Sequence, residues 1–382
     1  MLYDVAVIGA GVFGAWTAHH LRRSGQRVAL LDAYGAANSR SSSGGESRII
    51  RMGYGADEIY TRSAMRSMTL WREFIGRTST PLFHQTGVLW TAIAGDAYTE
   101  ATRQTLERCG AHFEMLAPAD LQSRYPQMEF APGAWGIFEP ESGALMARRA
   151  VEAVVSDAVR NGVECLRESV AAPDGHGTLA ALPTSGGAAI RAGSFVFACG
   201  SWLPKLFPDL LGKCIEPTRQ EVFFFGAPPG DPRFSPPAMP VWIDFSDPRG
   251  PYGFPNLESR GVKIALDRHG PRMDPDNDDR LPSADGLAAA REFLGKRFPA
   301  LRGAPLLEAR VCQYENTSNG DFLIDHHPDF TNVWLVGGGS GHGFKHGPAV
   351  GEYVTARMLD GAPLEPRYSM ATKAESRNRT VF

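Results

Sequence analysis

The chain has 382 residues, 43% hydrophobic and 21% charged, a soluble globular composition with room for two or three domains. Its formal net charge of −3 gives no reason to expect nucleic acid or an anionic membrane as partner, and no stretch approaches the roughly eighteen apolar residues that span a bilayer. Five cysteines (Cys109, Cys165, Cys199, Cys214, Cys312) form an odd set without a C-x-x-C pair, which argues against a disulfide framework and a zinc site and for a reducing, cytoplasmic setting.

Asp4-Val5-Ala6-Val7-Ile8 reads as a short buried strand, and Asp4 interrupts the apolar N-terminus where a signal peptide would need a basic region. Gly9-Ala10-Gly11-Val12-Phe13-Gly14 follows at once. A helical run then carries Ala15, Ala18 and Leu21 and stops at Gly25, and Arg27 to Leu31 make a second strand ending on Asp32. A G-x-G-x-x-G between strand and helix, with an acidic residue about twenty positions on, is the pattern of an adenine dinucleotide site. Gly9 permits the tight turn, Gly11 lets backbone N–H groups approach a pyrophosphate, and Gly14 allows close helix–strand packing. The helix N-terminus favours the phosphate, and Asp32 can accept from a ribose diol. The alternative is a plain turn with incidental glycines. This stretch does not choose between FAD and a nicotinamide.

Ala33 to Glu46 is a Gly-, Ser- and Asn-rich loop leading into Ser47-Arg48-Ile49-Ile50-Arg51. If that run is a helical turn, Arg48 and Arg51 share a face; in a strand they do not. Helices are predicted over 60–77, 97–109, 118–125, 147–161, 287–298 and 348–359. Strands are predicted over 83–92, within 131–142, and over 188–198, 308–314 and 332–336, with alternating strands and turns over 216–268. Asp274 to Asp279 mimics the start of a calcium loop but has Asp279 where glycine is needed and lacks the closing Glu, so it reads as a solvated turn. A nicotinamide dehydrogenase usually runs directly into a second βαβ half. This chain instead returns at its far end with Gly337-Gly338-Gly339-Ser340-Gly341-His342-Gly343-Phe344-Lys345 before a closing helix, an order that favours FAD.

Four segments carry a resemblance: Val7 to Gly14; Gly45-Glu46-Ser47-Arg48-Ile49-Ile50-Arg51; Gly261-Val262-Lys263; and Cys312-Gln313-Tyr314 through Ser340 to Lys345. Together they resemble the monomeric sarcosine oxidase and N-methyltryptophan oxidase family of D-amino-acid-oxidase-like flavoproteins. The resemblance implies that Arg51 and Lys345 hold a substrate carboxylate, a task suited to a planar fork beside a point charge. It implies that Arg48 lies near the flavin ring, that Lys263 activates dioxygen, and that Cys312 carries FAD covalently. It also implies that Tyr54, Tyr252 and Tyr314 wall the substrate pocket. The implied cofactor contacts are Gly9, Gly11, Val12, Phe13, Gly14, Asp32, Ser42, Arg48, Cys199, Gly200, Trp202, Cys312, Gly339, Gly341, His342, Gly343, Phe344 and Lys345. Strand alternation separates Lys263 from Val262 and Ile264 but does not say which face is the cavity. The chain departs from the family at Gly44 and Asp267, where histidines are expected, which puts sarcosine itself in doubt as substrate. His326, His327, His342 and His346 lack metal-site spacing, so no metal is expected.

The expectation is an α/β, two-domain FAD-dependent amine oxidase. Its Rossmann-like cofactor domain is drawn from 1–80, 146–215 and 323–382, and its substrate domain, an antiparallel sheet with helices, from 81–145 and 216–322. By resemblance, an amino acid or N-methyl amino acid passes a hydride equivalent to flavin N5, the imine is hydrolysed, and dioxygen returns as hydrogen peroxide. Turnover rises with pH as the bound amine loses its proton. The chain is expected to be a monomer without membrane or nucleic-acid partners. The alternatives are a flavin dehydrogenase serving another acceptor and a non-catalytic flavin-binding protein.

Overall fold

The computed structural model describes residues 2–374; Met1 and residues 375–382, the end of the expected 323–382 segment, lie outside the described residues. The apolar run at the start forms strand Leu2–Ile8, which pairs in parallel with Val28–Leu31 on one side and Ala189–Phe197 on the other. The sheet runs Leu323–His326, Val333–Gly337, Ala189–Phe197, Leu2–Ile8, Val28–Leu31, Glu164–Leu166, with Leu182–Pro183 paired to Ala189–Phe197. The central pairs are parallel, as expected for strands whose paired stretches are largely apolar on both faces, and the exposed edge strand Glu164–Leu166 adds in parallel as well. Helix Val12–Arg23 lies against helix Gly347–Leu359, and the contact depends on Gly351, where an added Cβ would sit 2.6 Å from the Trp16 carbonyl carbon.

A second sheet, of eight strands, runs Leu306–Thr317, Ile215–Phe225, Val262–Leu266, Pro251–Phe254, Val241–Asp244, Val88–Ala92, Trp135–Glu139, Glu114–Leu116. It is antiparallel except where Val241–Asp244 pairs in parallel with Val88–Ala92. Helix Ala284–Arg297 covers one face, with Phe293 stacked on Trp242 at 5.6 Å. The molecule is thus a mixed α/β fold with a parallel-cored sheet and a mostly antiparallel one.

A third sheet joins Ser47–Ile50, Gly143–Met146 and Phe83–His84. The single strand expected over 83–92 is therefore two, belonging to different sheets. Gly87 makes the break at φ +71°, and a Cβ there would strike the Phe138 ring at 2.2 Å. Strands Glu114–Leu116 and Glu164–Leu166 were not foreseen, being short and partly charged. In the acidic turn, Lys205 Nζ binds Asp274 Oδ1 at 2.7 Å and Asp276 Oδ2 at 2.5 Å. Among the described residues no helix is long and apolar enough to cross a membrane, and no three His, Cys, Asp or Glu residues group to hold a metal.

Candidate active site

Two cavities share a wall. The larger, about 320 Å³, opens where the parallel strands end, and the smaller, about 100 Å³, lies against the second sheet; Arg48, Cys312, Tyr314, Gly341 and Phe344 line both.

Gly9, Gly11, Val12, Phe13, Asp32, Ser42, Cys199, Gly200, Trp202, Gly339 and Gly343 line the larger cavity. Gly14 does not; it lets the helix seat on the preceding turn, since a Cβ there would lie 1.8 Å from the Gly9 carbonyl oxygen. Gly9 itself sits at φ +102°, with room for no Cβ beside the Ala198 carbonyl at 2.4 Å. Asp32 Oδ2 accepts from Ala10 N–H at 2.8 Å and Oδ1 from Tyr34 N–H at 2.9 Å, which fixes its carboxylate at the strand end. Burial pushes its pKa up while those N–H groups pull it down. Glu315, a residue the sequence reading passed over, also lines this cavity. Its Oε1 accepts from Gly339 N–H at 3.0 Å, its Oε2 is buried without a partner among the described residues, and burial pushes its pKa up to about 7. A glycine cradle, an acceptor at the strand end and an orphaned carboxyl oxygen fit an extended dinucleotide with ribose and ribityl hydroxyls. They fit FAD.

The smaller cavity collects cations. Strand Ser47–Ile50 sends Arg48 and Arg51 to opposite parities, yet both line it, because Arg51 lies just past the strand end where alternation no longer holds. Arg51 is 5% exposed, with its guanidinium 4.6 Å from the centroids of both Tyr54 and Trp90. Its loop is anchored by Glu139, the second residue sequence reasoning missed. Glu139 accepts from Met52 N–H (2.7 Å), Gly53 N–H (3.2 Å), Trp90 Nε1–H (2.8 Å) and Ser142 Oγ–H (2.7 Å). The available signal was a lone carboxylate ending the apolar strand Trp135–Glu139. Glu139→Ala is expected to lower stability by about 3 kcal/mol, since it leaves buried donors unpaired. An unchanged urea midpoint would show that the loop holds without it.

Lys345 Nζ donates to Tyr54 Oη at 2.6 Å and to the His342 carbonyl at 3.0 Å. Tyr54 Oη lies 2.7 Å from His346 Nε2, and His346 Nδ1 lies 2.9 Å from Ser63 Oγ. Burial, then Lys345, keep His346 well below its ordinary pKa, so the network is satisfied by a neutral ring that accepts from Tyr54 and donates to Ser63. Tyr54 is therefore not a wall of the pocket. It is buried behind Arg51 and Lys345 and orients both, whereas Tyr252 and Tyr314 do line the cavity. Burial, then Arg51, push Lys345 well below the usual lysine pKa. His342 and Lys345 line this cavity and not the larger one, while Gly343 of the same loop lines the larger and Gly341 and Phe344 line both.

Lys263 points inward, 2% exposed, and donates to the Ser47 carbonyl at 3.1 Å and Ser47 Oγ at 3.3 Å. Arg48 Nη1 donates to the same carbonyl at 2.8 Å, and its Nη2 lies 3.3 Å from Cys312 Sγ. Burial, then Arg48, push Lys263 well below the ordinary lysine pKa. At Gly44 a Cβ would meet the Asn38 carbonyl at 2.0 Å, so this backbone excludes the histidine expected there. Asp267, the other departure, opens onto the cavity with Oδ1 accepting from Tyr314 Oη–H at 2.6 Å; burial raises its pKa to about 7. The arrangement can hold an anionic group between Arg51 and Lys345, against a second chamber shaped for a dinucleotide.

The protein family described as DAO, FAD dependent oxidoreductase, matches residues 4–357. Monomeric sarcosine oxidase of Bacillus sp. (strain NS-129) is 31% identical over 365 residues, covering 94% of this chain and 93% of that one. N-methyl-L-tryptophan oxidase of Salmonella heidelberg (strain SL476) is 29% identical over 369 residues, covering 95% and 96%. Among solved structures, L-proline dehydrogenase from P. horikoshii shares the fold with a TM-score of 0.83 at 22% identity, covering 98% and 99%.

Proposed function

The chain belongs to the sarcosine oxidase family of FAD-dependent oxidoreductases acting on CH–NH bonds, and on that premise we propose that it oxidises an amino acid or N-methyl amino acid with dioxygen. The observation that carries this reading is the convergence of Arg51 and Lys345, both buried, on a cavity that shares Arg48 and Cys312 with the dinucleotide chamber. Bound FAD supplies the two-electron acceptor and returns those electrons to dioxygen as hydrogen peroxide.

The substrate carboxylate lies between Arg51 and Lys345, which fixes the C–N bond against the wall common to both chambers. Tyr252 and Tyr314 exclude water from the amine. Arg48 and Lys263 hold positive charge beside the cofactor, which favours electron transfer onto it and then to oxygen. The presence of Lys263 supports an oxidase over a dehydrogenase serving another acceptor. Anaerobic mixing with a panel of amino acids (sarcosine, N-methyl-L-tryptophan, L-proline and primary L- and D-amino acids) should bleach the flavin for at least one. Readmitted oxygen should restore the colour with stoichiometric peroxide; a bleached enzyme that stays bleached in air would refute the oxidase reading.

Cys312, half-buried on the shared wall, is the proposed attachment point for the cofactor. Acid denaturation of the holoprotein should leave a yellow pellet, and Cys312→Ser a colourless one with free FAD in the supernatant. Release of flavin from the unmodified protein would exclude the link.

A further inference from the structure

The smaller cavity has a charge imbalance that its carboxylate clamp does not use. Arg48, Arg51, Lys263 and Lys345 all line it, and an amino acid entering as a zwitterion brings an ammonium group into that field. Two carboxylates also line it. Glu46 is already engaged, by Arg260 at 3.1 Å and Arg149 at 3.6 Å. Asp267 has no cationic partner within ion-pair distance among the described residues: Oδ1 accepts from Tyr314 Oη–H, and Oδ2 receives no hydrogen bond there. Asp267 lines the same cavity as Arg51 and Lys345, and that cavity is only about 100 Å³, so its carboxylate lies within the length of a small amino acid from the clamp. In an α-amino acid one carbon separates carboxylate from amine, so a carboxylate on the wall of so small a cavity is within reach of the amine.

We propose that Asp267 is the amine-reading residue of this cavity, receiving the substrate's ammonium while Arg51 and Lys345 hold its carboxylate, and then taking one of its protons. This rests on the amino-acid oxidase reading above. In the step, the ammonium N–H bond breaks with its electron pair left on nitrogen, and an O–H bond forms on Asp267. A cation and an anion become a neutral amine and a neutral carboxyl. Desolvation drives the exchange, because the burial that raises the Asp267 pKa disfavours the separated charges. The group that recognises the zwitterion thus also yields the reactive free amine, which a fixed counter-ion alone would oppose. The substrate class is amino acids with a primary or secondary ammonium, as against N-acyl amino acids or simple carboxylates.

The groups facing Asp267 are Tyr314, Tyr252, Arg51 and Lys345, with His269 against the Tyr314 ring and Cys312 and Arg48 further along the wall. Burial holds the Asp267 pKa near 7 and the Tyr314 hydrogen bond pulls it down, so the anion that binds an ammonium accumulates as pH rises through about 7. The two tyrosines are pushed above their ordinary range and stay neutral there.

The test uses the holoprotein and two ligands that differ only by the ammonium: isobutyrate and α-aminoisobutyrate, which has no α-hydrogen to lose. Flavin absorbance reports their binding without turnover. α-Aminoisobutyrate should bind more tightly than isobutyrate and tighten as pH rises through about 7. Asp267→Asn should weaken α-aminoisobutyrate by about 10- to 100-fold, the value of a hydrogen bond to a charged group, while isobutyrate holds or tightens. Tyr314→Phe, which removes the donor to Oδ1, should move the pH dependence of α-aminoisobutyrate binding upward. The proton step is read from anaerobic flavin reduction by whichever amino acid bleaches the enzyme: its rate should rise with pH through about 7, and Asp267→Asn should abolish that limb. Parallel weakening of both ligands would make Asp267 a structural residue, and an unmoved limb would remove the proton step. If no amino acid bleaches the flavin the oxidase reading fails, while the ligand pair still decides whether Asp267 reads an ammonium.

Discussion

Arg51→Met is expected to lower kcat/KM for an amino acid substrate by about 10³-fold, the consequence of leaving a buried carboxylate with half of its counter-charge, at about 3–5 kcal/mol. Lys345→Met should cost less. Arginine keeps its charge in any protein environment, whereas burial and Arg51 push Lys345 toward neutrality, so Arg51 carries the larger share of the attraction. Arg51→Lys should fall between, retaining a charge but losing the fork and the stacking between Tyr54 and Trp90. Because a carboxylate arriving in the cavity favours the charged form of Lys345, binding should be accompanied by proton uptake, strongest at pH values above the depressed Lys345 pKa. The same variants should leave oxidation of an amine lacking the carboxylate within a few-fold of the parent, since nothing then engages the clamp. Steady-state peroxide formation with the acid and its amide measures both. An Arg51→Met protein with unaltered KM and reduction rate would show that the carboxylate binds elsewhere.

What could be read from the sequence follows the distance over which each signal acts. Gly9 to Asp32 was legible because strand, turn, helix and acidic residue are consecutive, and the cradle they form needs few distant partners. Lys263 was legible only as a resemblance; alternation gave two faces, and the direction is set by Ser47, 216 residues away, through two hydrogen bonds. The question left open at Arg48 and Arg51 turned on where a four-residue strand stops, which no local pattern fixes. Tyr54 was assigned to the wall because aromatics suit a pocket, but its hydroxyl is taken up by Lys345 and His346 from the far end of the chain. Glu139 and Glu315 escaped notice because a buried carboxylate looks like any surface glutamate until its donors are known. Those donors are backbone groups near Arg51 and in the C-terminal glycine loop, with the Trp90 and Ser142 side chains added at Glu139. Asp267 could be seen as a departure, but its neighbours Tyr314 and Tyr252 come from other strands of the second sheet.

Lys263→Met should separate the two halves of turnover. Reduction of the flavin by substrate is expected to stay within a few-fold of the parent, while reoxidation by dioxygen should fall about 10³-fold. The one-electron reduction of dioxygen creates an anion, and a cation about 4 Å away at an effective dielectric near 20 stabilises it by about 4 kcal/mol. Methionine fills the same volume without that charge. Folding does not oppose the change: the variant gives up two hydrogen bonds to Ser47 but also removes a desolvated cation beside Arg48, so its thermal midpoint should not fall steeply. The pH dependence has a definite sign. Only the protonated lysine can act, so reoxidation should be fast at low pH and decline as pH rises through the Lys263 pKa. Since burial and Arg48 hold that pKa well below 10.5, the decline should begin before an ordinary lysine titrates. In Lys263→Met the rate should be low and flat across the same range. Stopped-flow mixing of photoreduced enzyme with oxygenated buffer gives both numbers. A variant that reoxidises at the parent rate, or a parent rate that climbs with pH, would assign oxygen activation to Arg48 or another cation of the cavity.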